Sequence, residues 1–413
     1  MKRTTAVIIG AGHQGLAMSQ KLAERGVDHI VVERGQAGNS WRNERWDSLR
    51  LLSPNWLNGL PGVPYRGADQ DGFLRVSDLI SMFDACAHRN ATPLMTETKV
   101  VALDAFGDGY RVQTDQGAID CRSVIMATGT NAIANVPAFA DAIPVDIVQH
   151  TPLSYKRLSD IPDGGVLIVG AAASGVQLAR ELQLAGRQVT LAVGNHVRMP
   201  RKYRDADIMV WMEITGMFDE SHRDVDDLAR VRRRPSPQLI GAPSHQQVDL
   251  NALQDLGVEI TGRLASIAGG SAWFSGSLAN HCTAADLKMN RLLDRCDAWA
   301  VEHGLDALIE QPHRFAPTRQ PAEPRLKLDL TDGSVRSVIW ASGFRPDYRW
   351  LNLPVVDGKG RLVHDGGVVG NGLYAMGLPF LRTARSQFIS GGEGDSTALA
   401  DHMCNWLAKP LAA

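Results

Sequence analysis

The sequence predicts an α/β fold with two Rossmann-like dinucleotide-binding units, and three observations indicate it. An apolar run at residues 6–9 leads into a glycine-rich turn at 10–15, and a similar run at 166–169 leads into a second turn at 170–175. Each turn precedes a stretch of helical periodicity and then a further apolar run. This order of elements is typical of doubly wound nucleotide-binding sheets.

Length and charge limit the classes of partner. A chain of 413 residues is long enough for two or three structural units with a sizeable core. Its 43 basic and 45 acidic side chains give a formal net charge of -2. No overall field therefore attracts nucleic acid or anionic lipid. We expect a small-molecule substrate, no nucleic acid and no membrane, and we leave a homodimer open.

The five cysteines are too far apart in sequence to form a Cys-x-x-Cys motif. That spacing argues against a zinc site or a redox dithiol, so we expect no metal and a reducing, cytoplasmic environment. The apolar stretch that follows Met1, Lys2 and Arg3 is too short for a secretory signal and is broken by Gly10. It is better explained as the first buried strand.

In the first turn the three glycines have separate roles. Gly10 makes the turn, Gly12 lets the backbone approach a pyrophosphate, and Gly15 allows the following helix to pack on the strand. The helix N-terminus offers amide donors to phosphates. Glu33 closes the next strand, where a carboxylate accepts the hydroxyls of a ribose. The turn therefore predicts a dinucleotide site.

The second turn carries Ala172 at the position of the central glycine, and its next strand ends in Gly194 and Asn195 instead of an acid. An acid there would repel a 2′-phosphate. Basic residues follow at once and offer charge-assisted hydrogen bonds to that phosphate, namely Arg198, Arg201, Lys202 and Arg204. NADPH is thus favoured over NADH, although a solvated basic loop remains the alternative. We interpret the arginines at 230–234 as a solvated loop.

Two further strands end in a small hydroxyl residue and a glycine, at 124–129 and 338–343. They flank the second unit and predict that the chain crosses between units there. The resulting domain plan has a first domain in two parts, 1–155 and 325–413, with a second domain inserted at 156–324. Apolar residues from 289 to 300 repeat at helical spacing and are interpreted as core.

These motifs resemble the class B flavin-dependent monooxygenase superfamily, which includes the flavin-containing, YUCCA-like and Baeyer–Villiger monooxygenases. The resemblance spans nearly the whole chain through both glycine turns, Gly38-x-x-Trp41, the two crossings and the closing segment 372–377. Of the signature between the nucleotide sites, only the histidine is retained, as His150. The resemblance implies a glutathione-reductase-like two-domain flavoprotein, with an NADPH domain inserted in an FAD domain.

The resemblance also implies FAD at the first turn, NADPH at the second, and O2 as co-substrate. A helix predicted to begin near Gly392 would direct its N-terminus at the flavin pyrimidine, although an ordinary capped helix explains the same residues. The residues expected to bind the two cofactors are Gly10, Gly12, His13, Gln14, Gly15, Glu33, Arg34, Trp41, Arg42, Ala127, Thr128, Gly129, Gly170, Ala172, Ser174, Gly175, Arg198, Arg201, Lys202, Ser342, Gly343, Gly377, Gly392 and Asp395.

The segment at 40–56 combines three tryptophans with three arginines and small polar residues. In the superfamily the corresponding segment passes over the flavin ring. The resemblance therefore implies catalytic candidates here, which are Arg45, Asp47, Ser53 and Asn55, with Asn55 as the preferred hydrogen-bond donor. The alternative is that the tryptophans simply pack the FAD domain.

The implied function is a single-component FAD-dependent, NADPH-using monooxygenase that forms a C4a-(hydro)peroxyflavin and oxygenates a small organic substrate. The cofactor supplies the difficult step, so the lack of a catalytic triad is no objection. One alternative is an NAD(P)H oxidoreductase without oxygen insertion, with a quinone, ferredoxin or O2 as acceptor. A non-catalytic nucleotide sensor is a third hypothesis.

Overall fold

The computed structural model describes residues 2–409. The strands are β1 (Lys2–Ile9), β2 (His29–Val32), β3 (Leu94–Met95), β4 (Val100–Phe106), β5 (Gly109–Thr114), β6 (Gly117–Met126), β7 (Ile133–Ala134), β8 (Val148–His150), β9 (Gly165–Val169), β10 (Val189–Ala192), β11 (Lys202–Tyr203), β12 (Ala206–Asp207), β13 (Glu259–Thr261), β14 (Leu264–Ala268), β15 (Ser271–Phe274), β16 (Lys327–Asp329), β17 (Val335–Trp340), β18 (Phe344–Arg345), β19 (Val368–Gly370) and β20 (Leu373–Ala375). The helices are α1 (His13–Glu24), α2 (Asn39–Asn43), α3 (Val76–Arg89), α4 (Ala173–Leu184), α5 (Ile208–Ile214), α6 (Leu228–Val231), α7 (Leu250–Asp255), α8 (Leu278–Glu302) and α9 (Gly392–Leu407).

The first sheet draws strands from both ends of the chain. Its order is β19-β20-β6-β1-β2-β3, and β4 and β5 extend it antiparallel from β6. Residues 6–9 of β1 are buried because this strand lies in the sheet between β6 and β2, parallel to both. Parallel strands covered on both faces are apolar throughout, as the sequence pattern indicates. The expected first strand is confirmed.

The second sheet has the order β13-β10-β9-β17-β8, and all its pairings are parallel. Every residue of β9 is buried. The helix α4 connects β9 to its parallel neighbour β10, as a crossover helix does in such sheets. The expected α/β fold with two doubly wound units is therefore present.

Sheet membership differs from the expected division of the chain in two places. The strands β8 and β17 both lie in the second sheet, and β16 pairs with β15 of the inserted part. Residues 148–150 and 325–340 thus pack with the second unit, although the sequence pattern assigns both segments to the first. The reason is that a crossing strand hydrogen-bonds to the sheet that it leaves, not to the one that it enters.

The long helix α8 buries one face of the second unit. Met289, Leu293, Cys296 and Ala300 are 2% exposed or less, so the apolar stripe at helical spacing is confirmed as core. Within residues 2–409, no helix combines the length and the apolar composition needed to cross a bilayer.

We predict that Leu293→Ala lowers the free energy of unfolding by about 2 to 5 kcal/mol, because it removes buried methyl groups and leaves a cavity. Leu293 has no exposed surface. The matched control is Leu287→Ala on the same helix, where the side chain is 55% exposed. Urea unfolding should show a change of at most about 0.5 kcal/mol for that control. Equal losses in both variants would contradict the assigned face of α8.

Candidate functional site

A cavity of about 1450 Å³ contacts both units of the molecule. Its wall includes the first glycine turn, the second glycine turn and both predicted crossings. In doubly wound sheets, ligands bind outside the carboxyl ends of the strands. The cavity occupies that position for both sheets at once.

The first turn fits closely against the end of β6. Gly10 has a φ of +106°, and a Cβ there would lie 2.6 Å from the carbonyl oxygen of Ala127. A Cβ on Gly15 would lie 1.9 Å from the carbonyl oxygen of Gly10, so α1 can approach β1 only without a side chain. By contrast, a Cβ on Gly12 would meet no atom within 4 Å. The space above Gly12 opens on the cavity, where a pyrophosphate fits.

Glu33, directly after the neighbouring strand β2, holds this turn through two hydrogen bonds. One carboxylate oxygen accepts a hydrogen bond from the Ala11 amide at 2.8 Å, and the other accepts from the Gly35 amide at 3.3 Å. Burial raises the pKa of Glu33, while these amide donors act in the opposite direction. The side chain also lines the cavity. Glu33 thus holds the turn and also places a carboxylate at the cavity wall.

The second turn repeats the same geometry. Gly170 has a φ of +112°, and a Cβ there would lie 2.3 Å from the carbonyl oxygen of Ala341. A Cβ on Gly175 would lie 1.8 Å from the carbonyl oxygen of Gly170. Ala172 occupies the place of Gly12 and lines the cavity, as does Ser174. Both turns therefore meet the steric requirements of a dinucleotide-binding turn.

The two crossings pair with each other. Residues 133–134 of β7 and 344–345 of β18 form an antiparallel ribbon, and Ser342 Oγ donates to the Asn135 carbonyl oxygen. Thr128, Gly129, Ser342 and Gly343 line the cavity next to this ribbon. The crossings thus bring the ends of both sheets to one place.

The loop that precedes α9 packs on the first helix. A Cβ on Gly377 would lie 2.9 Å from Gln14 Cγ, and Gln14 Nε2 donates to the Ser386 carbonyl oxygen at 3.0 Å. Gln14 Oε1 is buried and, within the described part of the chain, accepts no hydrogen bond. Buried polar atoms of this kind normally have a partner. A cofactor donor at this point would provide one.

Two more buried polar groups lie at this end of the first unit. Burial lowers the pKa of His13 to about 4, so its ring is neutral near pH 7. Asp395, in the first turn of α9, is 3% exposed, and burial raises its pKa to about 6. Among the described residues, neither His13 Nε2 nor Asp395 Oδ2 has a hydrogen-bond partner. His13 lines the cavity, whereas Asp395 and Gly392 lie behind its wall.

The segment at 40–56 contributes some of its expected residues. Trp41, Arg45 and Ser53 line the cavity, and the Arg45 guanidinium lies 5.2 Å from the Trp41 ring centroid. Arg34 also lines it and pairs with Glu44. These side chains form a polar and aromatic wall beside the first turn.

Other residues expected at the site face elsewhere. Asp47 is exposed and pairs with Arg157 at 3.1 Å. Asn55 is buried, and its Nδ2 donates to the Asp69 carbonyl oxygen at 2.8 Å. Arg42 donates to Ala37 and pairs with Asp84. The interpretation of Asn55 and Asp47 as catalytic donors is therefore corrected, because local hydrogen bonds turn both away from the cavity.

The expected phosphate clamp is also corrected. Arg198 is 3% exposed and bonds Asp249 at 2.7 Å and Asp286 at 2.8 Å. Arg201 is 2% exposed and bonds Asp207 at 2.5 Å. Arg204 is likewise buried against aspartates, and Lys202 points to solvent on β11. Neither Arg198 nor Arg201 reaches the cavity, because both are neutralised inside the second unit.

The arginines that do line the cavity are others than Arg198 and Arg201. Arg232, Arg233, Arg234 and Arg263 line it, and within residues 2–409 none of the four has a carboxylate oxygen within 4.0 Å. Arg263 contacts Gly194, where a Cβ would lie 3.4 Å from Arg263 Cγ. The sequence does hold a signal for Arg263. It follows β13, which is parallel to β10, so its position must lie at the same sheet edge as Gly194.

The cavity is strongly basic although the chain is slightly acidic. Its wall includes ten arginines and lysines but only four acids, and each acid makes a hydrogen bond or an ion pair within the protein. The basic residues are Arg34, Arg45, Arg50, Lys99, Arg232, Arg233, Arg234, Arg263, Arg345 and Arg361. Such a wall suits phosphates.

The cysteines lie away from this site. All five cysteines are free thiols, and none of them lines the cavity. Across residues 2–409, no group of histidine, cysteine, aspartate and glutamate side chains has the arrangement of a metal site.

We predict that Gly12→Ala raises the Kd for FAD at least about tenfold, because the new methyl group enters the space for the pyrophosphate. The free energy of unfolding of the FAD-free protein should change by at most about 0.5 kcal/mol, since that methyl group meets no protein atom. Gly15→Ala is the contrasting control and should lower stability itself. Fluorescence titration with FAD and urea unfolding separate the two effects. Unchanged FAD affinity in Gly12→Ala would refute the assignment.

We predict that Asp395→Asn stabilises the FAD-free protein by about 2 to 3 kcal/mol at pH 7. Below pH 3.8, the ordinary pKa, the carboxyl is protonated in both the folded and the unfolded protein, so its burial does not lower the free energy of unfolding. Between pH 3.8 and about 6 it ionises in the unfolded protein but not in the folded one, and the free energy of unfolding falls as the pH rises. The gain should therefore vanish near pH 4. Urea unfolding across this range measures it, with Asp401→Asn on the exposed side of α9 as control. A gain independent of pH would contradict the burial argument.

Comparisons with known proteins agree with this geometry. Residues 7–215 match the family described as pyridine nucleotide-disulphide oxidoreductase. An uncharacterised CzcO-like oxidoreductase of Geobacillus kaustophilus is 26% identical over 403 residues, which cover 97% of this chain and 98% of that protein. Indole-3-pyruvate monooxygenase YUCCA6 of Arabidopsis thaliana is 31% identical over 210 residues, or 48% of this chain and 50% of its own.

A solved structure extends the comparison to the whole fold. The flavin-containing monooxygenase from Stenotrophomonas maltophilia superposes with a TM-score of 0.69 at 18% identity and covers 99% of this chain and 100% of its own. The expected two-unit α/β fold is confirmed, as is the resemblance to the class B flavin monooxygenase superfamily. With a family match over more than half of its length, the chain belongs to the pyridine nucleotide-disulphide oxidoreductase family.

Proposed function

We propose that this protein is an FAD-dependent, NADPH-using monooxygenase that oxygenates a small organic substrate with O2. The observation that carries the proposal is the single cavity that both glycine turns line. Two dinucleotides bound at these turns would meet across the cavity, as a transfer of hydride between them requires. The matched relatives named as monooxygenases support the same reaction class.

FAD fits the first unit. Gly10 and Gly12 leave room for the pyrophosphate at the start of α1, and Glu33 presents an acceptor to the ribose. At the same start of α1, His13 Nε2 and Gln14 Oε1 are buried atoms that need partners. A cofactor bound at this turn would supply them.

NADPH fits the second unit. The turn from Gly170 to Ala172 and the start of α4 offer backbone amides to the pyrophosphate. Arg263 and Asn195 lie at the end of β10, where the adenosine ribose of a dinucleotide binds in this fold. The guanidinium of Arg263 takes the role of binding the 2′-phosphate.

When bound, FAD supplies hydride acceptance from NADPH and the activation of O2. The chain provides position and a shielded environment. Trp41 and Arg45 form one wall near the first turn, and Leu52, Leu239 and Phe388 form an apolar part that excludes water. Ser53 lines the same region, and its hydroxyl donates to Asn58 Oδ1 at 2.7 Å. We propose Arg45 and Ser53 as the polar groups nearest the reaction.

Disulfide reduction is a poor fit despite the family description. That reaction needs a thiolate beside the flavin, whereas burial raises the pKa of Cys86 to about 11 and of Cys121 to about 12. No cysteine of the chain lines the cavity. An NADPH oxidoreductase without oxygen insertion remains the alternative, since the CzcO-like relative is named only as an oxidoreductase.

Stopped-flow spectroscopy decides between these two functions. The reduced, NADP-bound holoenzyme is mixed with O2 while the flavin spectrum is recorded. A monooxygenase should pass through a transient flavin species that differs from both the reduced and the oxidised form, and its lifetime should shorten with substrate. A direct return to oxidised flavin under all conditions would overturn the proposal in favour of the oxidoreductase.

We predict that Arg263→Ala raises the KM for NADPH about 10- to 100-fold while the KM for NADH changes less than about threefold. The reason is the loss of a charge-assisted hydrogen bond to the 2′-phosphate, worth about 1.5 to 3 kcal/mol. Steady-state oxidation of each nucleotide measures the effect. Lys202→Ala, which changes an exposed cation of the same unit, is the control. An equal loss with both nucleotides would reject this role of Arg263.

A further inference from the structure

We propose that the substrate of the cavity carries a carboxylate on an apolar body, and that Arg232 binds this carboxylate. The inference rests on the proposed function, because it names the substrate class of the same cavity. Arg232 belongs to residues 218–238, which we call the strap. The sequence pattern places the arginines of this segment in a solvated loop, but the structure places three of them at the cavity.

The strap is anchored on both units. At its beginning, the Phe218 carbonyl oxygen accepts from the Arg385 amide, and the His222 amide donates to the Arg382 carbonyl oxygen. At its end, Gln238 Nε2 donates to the Ala171 carbonyl oxygen at 2.8 Å. The strap therefore runs from the loop before α9 to the second glycine turn, and Arg232 lies on its way across the cavity.

Arg232 is a cation without a nearby counter-ion. Its Nε and Nη2 both donate to the Phe380 carbonyl oxygen, at 3.3 and 3.2 Å. No carboxylate oxygen of residues 2–409 lies within 4.0 Å of it. Burial lowers the pKa of Arg232, with Asp365 acting against this only through longer-range attraction. A half-buried charge is costly unless paired, so an anionic ligand would be stabilised here.

The groups around Arg232 favour an anion as well. His364 lines the cavity beside it, and burial with the nearby Arg232 and His222 lowers its pKa to about 4, so its ring is neutral near pH 7. The carboxylate of Asp365 is turned to solvent and is held by His222 at 3.1 Å. No carboxylate of the described residues therefore competes for the guanidinium at the cavity.

The cavity wall also carries apolar side chains. Leu228 on the strap and Leu239 directly after it line the cavity, together with Leu52 and Phe388. A planar guanidinium binds a carboxylate through two parallel hydrogen bonds. Aliphatic and aromatic side chains around it suit an aryl or alkyl group. The combination selects an organic acid with an apolar body.

The phosphates of the two cofactors have other partners. The pyrophosphates fit at the two glycine turns, and the 2′-phosphate fits at Arg263 beside Gly194. Arg232 instead contacts Phe380, on the loop that joins Gly377 to α9. The resemblance implies that the flavin ring lies towards the start of α9, and with that orientation of FAD a carboxylate bound at Arg232 would hold the substrate near the reacting ring.

The test is a binding titration of the FAD holoenzyme with three phenylalkanoates, namely phenylacetate, phenylpropanoate and phenylbutanoate, and with their uncharged amides. Binding is followed by the perturbation of the flavin absorbance spectrum. At least one acid should bind about tenfold or more tightly than its amide. Arg232→Gln should abolish this preference, and Arg232→Lys should restore part of it. The matched control is Arg230→Gln, an exposed arginine of the same strap that does not line the cavity.

FAD content and urea unfolding verify that each variant is folded. Equal affinities for every acid and its amide in the wild type would overturn the proposal, and so would a preference that survives in Arg232→Gln. A higher KM for NADPH in Arg232→Gln with an unchanged acid preference would also overturn it, by assigning Arg232 to the nucleotide. An acid preference that depends on Arg232 supports the proposal even if stopped-flow mixing with O2 rejects the monooxygenase function.

Discussion

One steric constraint recurs in both units and organises the rest of the molecule. At each glycine turn the backbone packs against the carbonyl oxygen of an alanine at the end of the neighbouring strand, Ala127 for Gly10 and Ala341 for Gly170. Any side chain would separate these strands. Because each alanine is followed at once by a crossing of the chain, the same contact brings both crossings into the cavity and sets the two turns towards it.

Local features of the sequence were sufficient for the fold. Apolar runs, glycine spacing and the stripe on α8 depend on neighbours along the chain, and all of them are present as expected. Contacts made by the tertiary packing could not be predicted from these local patterns. Arg198 and Arg201 have the composition of a phosphate clamp, but Asp249 and Asp286, far along the chain, neutralise Arg198, and Asp207, six residues on, neutralises Arg201. Their burial follows from tertiary packing, which no local pattern encodes.

The candidate site shows the same difference between local features and tertiary contacts. The close packing of the glycines in both turns and the position of Glu33 at the cavity could be predicted from the sequence, because both follow from backbone geometry. The arginines of the strap could not, because a run of basic residues looks the same whether it faces water or a cavity. Net charge gave no signal either. A chain of charge -2 places ten basic residues around one cavity, so its acids are concentrated elsewhere.

The strap has a consequence for the motion of the molecule. The β7–β18 ribbon already joins the two units, and the strap joins them a second time through Gln238 and the loop before α9. The contacts of the strap to the first unit include the backbone hydrogen bonds that join Phe218 to Arg385 and His222 to Arg382. Any movement that separates the two units on this side of the cavity must break these hydrogen bonds or carry the strap with the first unit.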